Sequence, residues 1–190
     1  MTIRTQLYLD VGGVLGTNLD GFWHWLAGAA AIPHDQLRGR YKSELRNTLW
    51  TGELSEHGFW DWVCSLQSAK APDEARALLL THLQPMPAFA SLPQLSRKYD
   101  IHILSNHRVE WLNPFLVPVR SHLNSITISA EVRCAKPDPA IYRIAAAHAP
   151  AGASILFVDD ARHNLDAAAS LGWSTLLADP DSRWLTKLLH

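Results

Sequence analysis

The stretch Ile155-Leu156-Phe157-Val158-Asp159-Asp160 decides how the chain is read. A short apolar run that stops at carboxylates is the pattern of a buried strand ending at a turn. An alanine-rich stretch from Asn164 to Leu171 follows, and Gly172 supplies a helix stop. Strand followed by helix is therefore the local unit. The same shape recurs. Residues 5–10, Thr-Gln-Leu-Tyr-Leu-Asp, end in Asp10 before Gly12-Gly13; Ile101-His-Ile-Leu104 ends in Ser105-Asn106; Ser174-Thr-Leu-Leu177 ends in Ala178-Asp179. Ser125-Ile-Thr-Ile-Ser129 is a weaker example.

Asp138-Pro139-Ala140 reads as an N-cap with Pro at the first helical position, and Ile141, Ile144, Ala145 and His148 are expected on its buried face. Strands alternating with helices predict an α/β fold, a Rossmann-like parallel sheet with helices on both faces. Sites in such sheets lie outside the carboxyl ends of the strands, where Asp10, Ser105, Asp159 and Asp160 fall.

Residues 16–85 interrupt the alternation. Helical spacing appears in Phe22, Trp25, Leu26 and Ala29; in Leu37, Tyr41, Leu45 and Leu49; and in Ala75, Leu78, Leu79 and Leu83. Ser55 is a candidate cap for a helix carrying Phe59, Trp62, Val63 and Leu66. The expected organisation is a core of residues 1–15 and 86–190 with a helical cap, 16–85, inserted after the first strand. Five of the eight tryptophans fall in that insertion, Trp23, Trp25, Trp50, Trp60 and Trp62, and packing between helices is their simplest use.

With 17 Lys+Arg against 18 Asp+Glu, the chain has no basic field to hold a nucleic-acid backbone. No apolar run reaches the 18 residues of a membrane span. The first residues lack the apolar core of a signal peptide, and Cys64 and Cys134 form no CxxC pair. The expectation is a cytoplasmic protein handling a small molecule, without nucleic-acid or membrane partners. Oligomeric state is not legible.

Two adjacent carboxylates at one strand end repel each other unless a cation is near. Hard oxygen donors suit Mg²⁺, which takes its remaining ligands from water and substrate phosphate. Lys136, just before a helix start, is placed to steady two carboxylates or a phosphate.

Four strings then coincide in order: Leu9-Asp10-Val11-Gly12-Gly13-Val14-Leu15; Ile103-Leu104-Ser105-Asn106; Ala135-Lys136-Pro137-Asp138-Pro139-Ala140-Ile141-Tyr142; and Phe157-Val158-Asp159-Asp160 followed by Asn164-Leu165-Asp166-Ala167-Ala168. The chain resembles the haloacid dehalogenase (HAD) superfamily, in particular its phosphatases with an aspartate nucleophile. The resemblance implies Asp10 as nucleophile and Mg²⁺ held by Asp10, the Gly12 carbonyl and Asp160, with Asp159 ligating directly or through water. It implies that Ser105 and backbone N–H groups near Gly12, Gly13 and Asn106 bind phosphoryl oxygens, and that Lys136 offsets charge between Asp10 and the phosphoryl group. His107 and Arg108 are candidates to face substrate.

One position departs from the pattern. Most phosphatases of this group carry a second Asp, the general acid/base, where this chain has Gly12. Three readings follow: a Mg²⁺-dependent phosphatase acting on a small phosphorylated metabolite with a good leaving group, a metal-independent 2-haloacid dehalogenase, or a binding or regulatory protein that turns over poorly. Asp20, His24 and His163 are the nearest candidates to replace the acid; surface positions are the simpler account of each.

Overall fold

The computed structural model describes residues 3–66 and 72–190. Five strands, β1 (Gln6–Leu9), β2 (Asp100–Ser105), β3 (Ser125–Ile128), β4 (Ile155–Asp159) and β5 (Ser174–Leu177), form one sheet in the order β3-β2-β1-β4-β5. All four pairings are parallel. β1 is central, with Leu9 opposite both Ile103 and Val158. The chain moves outward through β2 and β3, then returns to the other side of β1 for β4 and β5. That reversal opens a crevice between β1 and β4 at their carboxyl ends.

Successive strand side chains point to opposite faces, and the two faces have separate cores. Leu7, Leu9, Ile101, Ile103 and Val158 pack with α6 (Pro87–Leu95), α7 (Val109–Leu116) and α11 (Arg183–Leu189). Tyr8, Leu104 and Phe157 pack on the other face with α9 (Pro139–Ala146), α10 (Arg162–Ser170) and Trp173.

The Asp138 cap is present, its carboxyl accepting from the Ala140 N–H at 2.8 Å. The buried face of α9 differs from the expected one: it carries Ile141, Tyr142 and Ala145, while Ile144 is 38% exposed and His148 lies beyond the helix end, exposed. Tyr142 takes the inner position because its hydroxyl donates to the Asn164 carbonyl at 2.8 Å.

Between β1 and α6 lie α1 (Asp20–Ala30), α2 (His34–Glu44), α3 (Arg46–Trp50), α4 (Glu56–Leu66) and α5 (Pro72–His82). Their inner faces form a third cluster around Phe22, Leu26, Leu37, Leu49, Phe59 and Leu79. The spacing from Leu37 to Leu49 reads as one helix, but the structure breaks it at Leu45 (φ −129°). Ser55 caps α4 as expected, its Oγ accepting from the Gly58 N–H at 3.0 Å. Trp111 of α7 joins the third cluster, so the insertion and the sheet share an apolar seam. Polar bonds reinforce that seam: the Trp111 indole donates to Glu56 Oε1 at 2.7 Å, and Glu56 also pairs with Arg76 at 2.7 Å.

Candidate active site

The register places Asp10, Ser105 and Asp159 at one edge of the sheet, each the last residue of its strand or the next one along. The four motifs converge there. Lys136 Nζ lies 3.0 Å from Asp10 Oδ2 and 2.5 Å from Asp159 Oδ2, with all three side chains buried or nearly so. Burial raises the Asp10 carboxyl far above the ordinary carboxylate range, to about 7, against the opposing pull of Lys136. Burial also draws the Lys136 ammonium down, but Asp10 and Asp159 outweigh it and the net shift is upward. The Ser105 side chain favours the charged form of Asp10.

Lys136 is itself clamped. The Asn106 side-chain amide donates to the Lys136 carbonyl at 2.8 Å and accepts from the Lys136 N–H at 2.7 Å. The Asn106 side chain is thus a positioning device, whereas its backbone N–H has no acceptor among the described residues.

The two adjacent carboxylates divide their work. Asp159 is fully buried and its oxygens are filled: Oδ1 accepts from the Ala161 N–H at 2.8 Å, Oδ2 from Lys136, and Asn164 Nδ2 donates to both at 3.1 Å. Lys136 is therefore the cation that the acidic pair calls for at Asp159. Asp160 is exposed, and its one side-chain partner among the described residues is Asn18 Nδ2 at 3.2 Å. Burial of part of the group still raises its carboxyl.

Asp10, Asp159 and Asp160 each offer a carboxylate oxygen within 4.8 Å of the others. The Gly12 N–H and carbonyl have no hydrogen-bond partner among the described residues, because the loop bonds run from Gly13 N–H to the Gly16 carbonyl and from Gly16 N–H to the Val11 carbonyl. An all-oxygen donor set with an unpaired carbonyl fits a hard divalent cation such as Mg²⁺. The Asp160 carboxylate and the Gly12 carbonyl are open to such an ion; Asp10 Oδ1 already accepts from the Val11 N–H at 2.7 Å and Oδ2 faces Lys136 at 3.0 Å, and each Asp159 oxygen already accepts two bonds.

Gly13 requires a correction. Its N–H is spent on Gly16 at 2.8 Å, so it is not a phosphoryl donor. Gly13 has φ +69°, and a Cβ there would lie 2.3 Å from Asp160 Oδ2. Glycine is needed for backbone conformation and to leave room for Asp160.

A cavity of about 400 Å³ opens above this edge, lined by Asp10, Gly12, Ser105, Asn106, His107 and Asp160 from the sheet side. His107 is buried, with Nδ1 accepting from the Arg108 N–H at 3.0 Å and the ring edge-on to Trp111. Burial pushes its pKa down to about 4, so the ring is neutral and Nε2 carries the proton. Arg108 does not face the cavity. It pairs with Glu110 at 2.9 Å and donates to the Leu54 carbonyl at 2.6 Å, tying α7 to the loop before α4.

Of the candidates for the missing acid, Asp20 lines the cavity. His24 is stacked on His34 at 4.0 Å, and its Nδ1–H donates to the Asp20 carbonyl at 2.9 Å, away from the site. His163 lines a neighbouring cavity of about 630 Å³. From the insertion, the first cavity is lined by Asn18, Trp23, Arg38, Tyr41, Arg46 and Trp50. Trp23 and Trp50 thus reach the site, whereas Trp60 is buried packing. Asn18 and the arginines were not anticipated. Asn18 has no local signature; Arg38, Lys42 and Arg46, spaced by four, were a legible stripe.

Strand order, the helical insertion after the central strand and the acidic edge together define a class: the chain has the fold of the haloacid dehalogenase superfamily. A HAD family enzyme of Bacteroides thetaiotaomicron superposes with a TM-score of 0.80 at 20% identity, covering 98% of each chain. The same enzyme has been seen in complex with magnesium and inorganic phosphate. A predicted HAD-like family hydrolase of Porphyromonas gingivalis matches with a TM-score of 0.76 at 19% identity over 100% of this chain and 99% of its own. An L-2-haloacid dehalogenase matches less closely, with a TM-score of 0.64 at 21% identity over 93% and 86%. No protein-family model and no curated protein matches the sequence. Among the described residues, no helix is long and apolar enough to cross a membrane.

Proposed function

We propose that this chain is a Mg²⁺-dependent phosphatase of the HAD superfamily, acting on a small phosphorylated metabolite through an aspartyl-phosphate at Asp10. The observation that carries this reading is the buried Asp10–Lys136–Asp159 triad beside an exposed, metal-competent Asp160. A dehalogenase has no use for that second carboxylate. The likeness to an enzyme that binds magnesium and phosphate supports the same reading.

In the proposed reaction the Asp10 carboxylate attacks phosphorus and the ester P–O bond breaks, the leaving oxygen departing with the bond pair. Water then opens the carboxyl–phosphate anhydride, restoring Asp10. Mg²⁺, when bound, neutralises charge on the phosphoryl oxygens. Lys136 favours the ionised form of Asp10 and offsets charge building on the transferring group. Ser105 and the unpaired N–H groups of Gly12 and Asn106 supply fixed donors for those oxygens.

Gly12 leaves no side chain to protonate the leaving oxygen, which confines efficient turnover to esters of good leaving groups, such as sugar 1-phosphates. It is also the one observation favouring a second reading, a Mg²⁺- and phosphate-binding protein with little turnover. A phosphate-release screen with Mg²⁺ over sugar 1-phosphates, sugar 6-phosphates, nucleotides and acyl phosphates separates the two. Release peaking on activated esters and absent in chelator is expected. Tight phosphate binding without hydrolysis of any ester would favour the second reading.

A further inference from the structure

The insertion presents positive charge to the cavity. On α2, Arg40 pairs along the helix with Glu44 at 3.1 Å. Arg38 and Lys42, one turn apart, and Arg46 at the start of α3 have no ion pair or hydrogen bond among the described residues. Arg38 and Arg46 line the cavity that holds Asp10 and Asp160, and Arg46 and Lys42 line the adjoining one with Arg133. The Arg38 guanidinium lies 5.0 Å from the Trp23 ring centre and 5.6 Å from that of Tyr41. Stacking of this kind fixes the guanidinium plane while leaving its in-plane N–H groups available. Tyr41 lines the same cavity, and its hydroxyl is buried without a hydrogen-bond partner among the described residues. Both arginines act electrostatically on that hydroxyl, so the three groups are close together. Buried polar groups in folded proteins almost always have partners, and an anion drawn to the arginines would give this donor an acceptor. Among the described residues, Asp20 is the one carboxylate from the insertion on the cavity wall.

We propose that Arg38, Arg46 and Tyr41 form an anion subsite facing Asp10, and that the substrate is a phosphate ester whose leaving group carries a second anionic group, a carboxylate or another phosphate. The substrate assignment rests on the phosphatase reading; the subsite itself does not. Guanidinium forks suit both oxyanions, and the surrounding rings Trp23 and Trp50 provide an apolar wall for the carbon frame between the two anions.

The test uses the full chain with Mg²⁺ and three probes: p-nitrophenyl phosphate, 2-phosphoglycolate and glucose 1,6-bisphosphate. kcat/KM is measured by phosphate or nitrophenol release, and binding by calorimetry. At least one of the two doubly anionic probes should be preferred by the wild type, and which one identifies the second anion. In Arg38→Gln and Arg46→Gln the ratio of kcat/KM on that probe to kcat/KM on p-nitrophenyl phosphate should fall about 10- to 100-fold, mainly through KM. Arg46 is exposed, so its variant folds even if loss of the stacked Arg38 disturbs α2. Arg38→Lys should recover part of the ratio. If no ester is hydrolysed, the phosphatase reading fails; binding of a doubly anionic probe that weakens in Arg46→Gln would still support the subsite. A ratio and an affinity unchanged in both Gln variants would overturn it, as would absence of binding by either doubly anionic probe.

Discussion

Replacing Gly12 with Asp tests the missing-acid argument at its source. A Cβ built at Gly12 would sit 2.7 Å from Asn18 Oδ1, and its only other near contact is Asn18 Cγ at 3.9 Å. Gly12 lies outside the left-handed region, since the positive-φ glycines are Gly13, Gly52, Gly152 and Gly172. Asn18 is exposed and held by a single 3.2 Å bond to Asp160. Its displacement costs about 1 kcal/mol or less, the net worth of an ordinary hydrogen bond. A positioned general acid contributes about 10²–10⁴-fold, roughly 3–5 kcal/mol of barrier. The predicted net gain of Gly12→Asp on a primary alkyl phosphate is therefore about 10- to 10³-fold. An activated aryl phosphate, whose leaving oxygen needs no proton, should change little. Adding Asn18→Ala removes the clash and should increase the alkyl gain further. The assay is kcat/KM on one alkyl and one aryl phosphate for wild type, Gly12→Asp and the double variant, after matched Tm and circular dichroism. An equal change on both substrates, or a loss on both, would refute the idea that Gly12 marks an absent acid.

Other outcomes follow from the same geometry. Asp10→Asn should abolish phosphate release while circular dichroism remains native, because an amide cannot form the acyl phosphate; wild-type-like release from pure protein would remove Asp10 from the chemistry. Asp160→Asn should weaken Mg²⁺ binding and activity together, read by calorimetry and rate; full activity of either protein in chelator would give the acidic edge another purpose. Lys136→Met leaves the buried Asp10 and Asp159 without their shared cation, and urea unfolding should show a loss of about 3–5 kcal/mol, the usual cost of breaking a buried pair from one side. A loss below about 1 kcal/mol would mean that protonation of a carboxylate relieves the site. Because Asp10 binds its proton up to about pH 7, a proton competes with Mg²⁺ there; calorimetric Mg²⁺ affinity should be full well above pH 7 and fall as pH drops through it. A flat affinity between pH 8 and pH 6, the window about that value, would show that Asp10 is ionised without the metal.

Much of the fold could be read along the chain because its signals are local. Each strand is a short apolar run with a polar stop, and β1 to β5 fall where those runs are. The helix faces were less legible. Ile144 has the spacing of a core residue, yet Tyr142 takes the inner position because a hydroxyl there finds the Asn164 carbonyl. Leu37, Tyr41, Leu45 and Leu49 keep one apolar rhythm across a break at Leu45, because packing against a common neighbour preserves the rhythm when the helix does not.

The sequence by itself determined which residues stand at the strand ends: Asp10, Ser105, Asp159 and Asp160 follow from where apolar runs stop, and a parallel sheet gathers such ends on one edge. Only the tertiary structure decided what each does there. Which adjacent carboxylate binds the lysine and which remains open to a metal is decided by a partner 23 residues away, Lys136 on Asp159. Gly13 proved to be room for Asp160, Asn106 a clamp on Lys136, and Arg108 a tie to the insertion. The arginines above Asp10 come from helices whose orientation is set by apolar packing around Phe22, Leu37 and Phe59. Hydrogen bonds and ion pairs are satisfied in space, between groups that the chain order leaves far apart, and for that reason the roles belong to the fold.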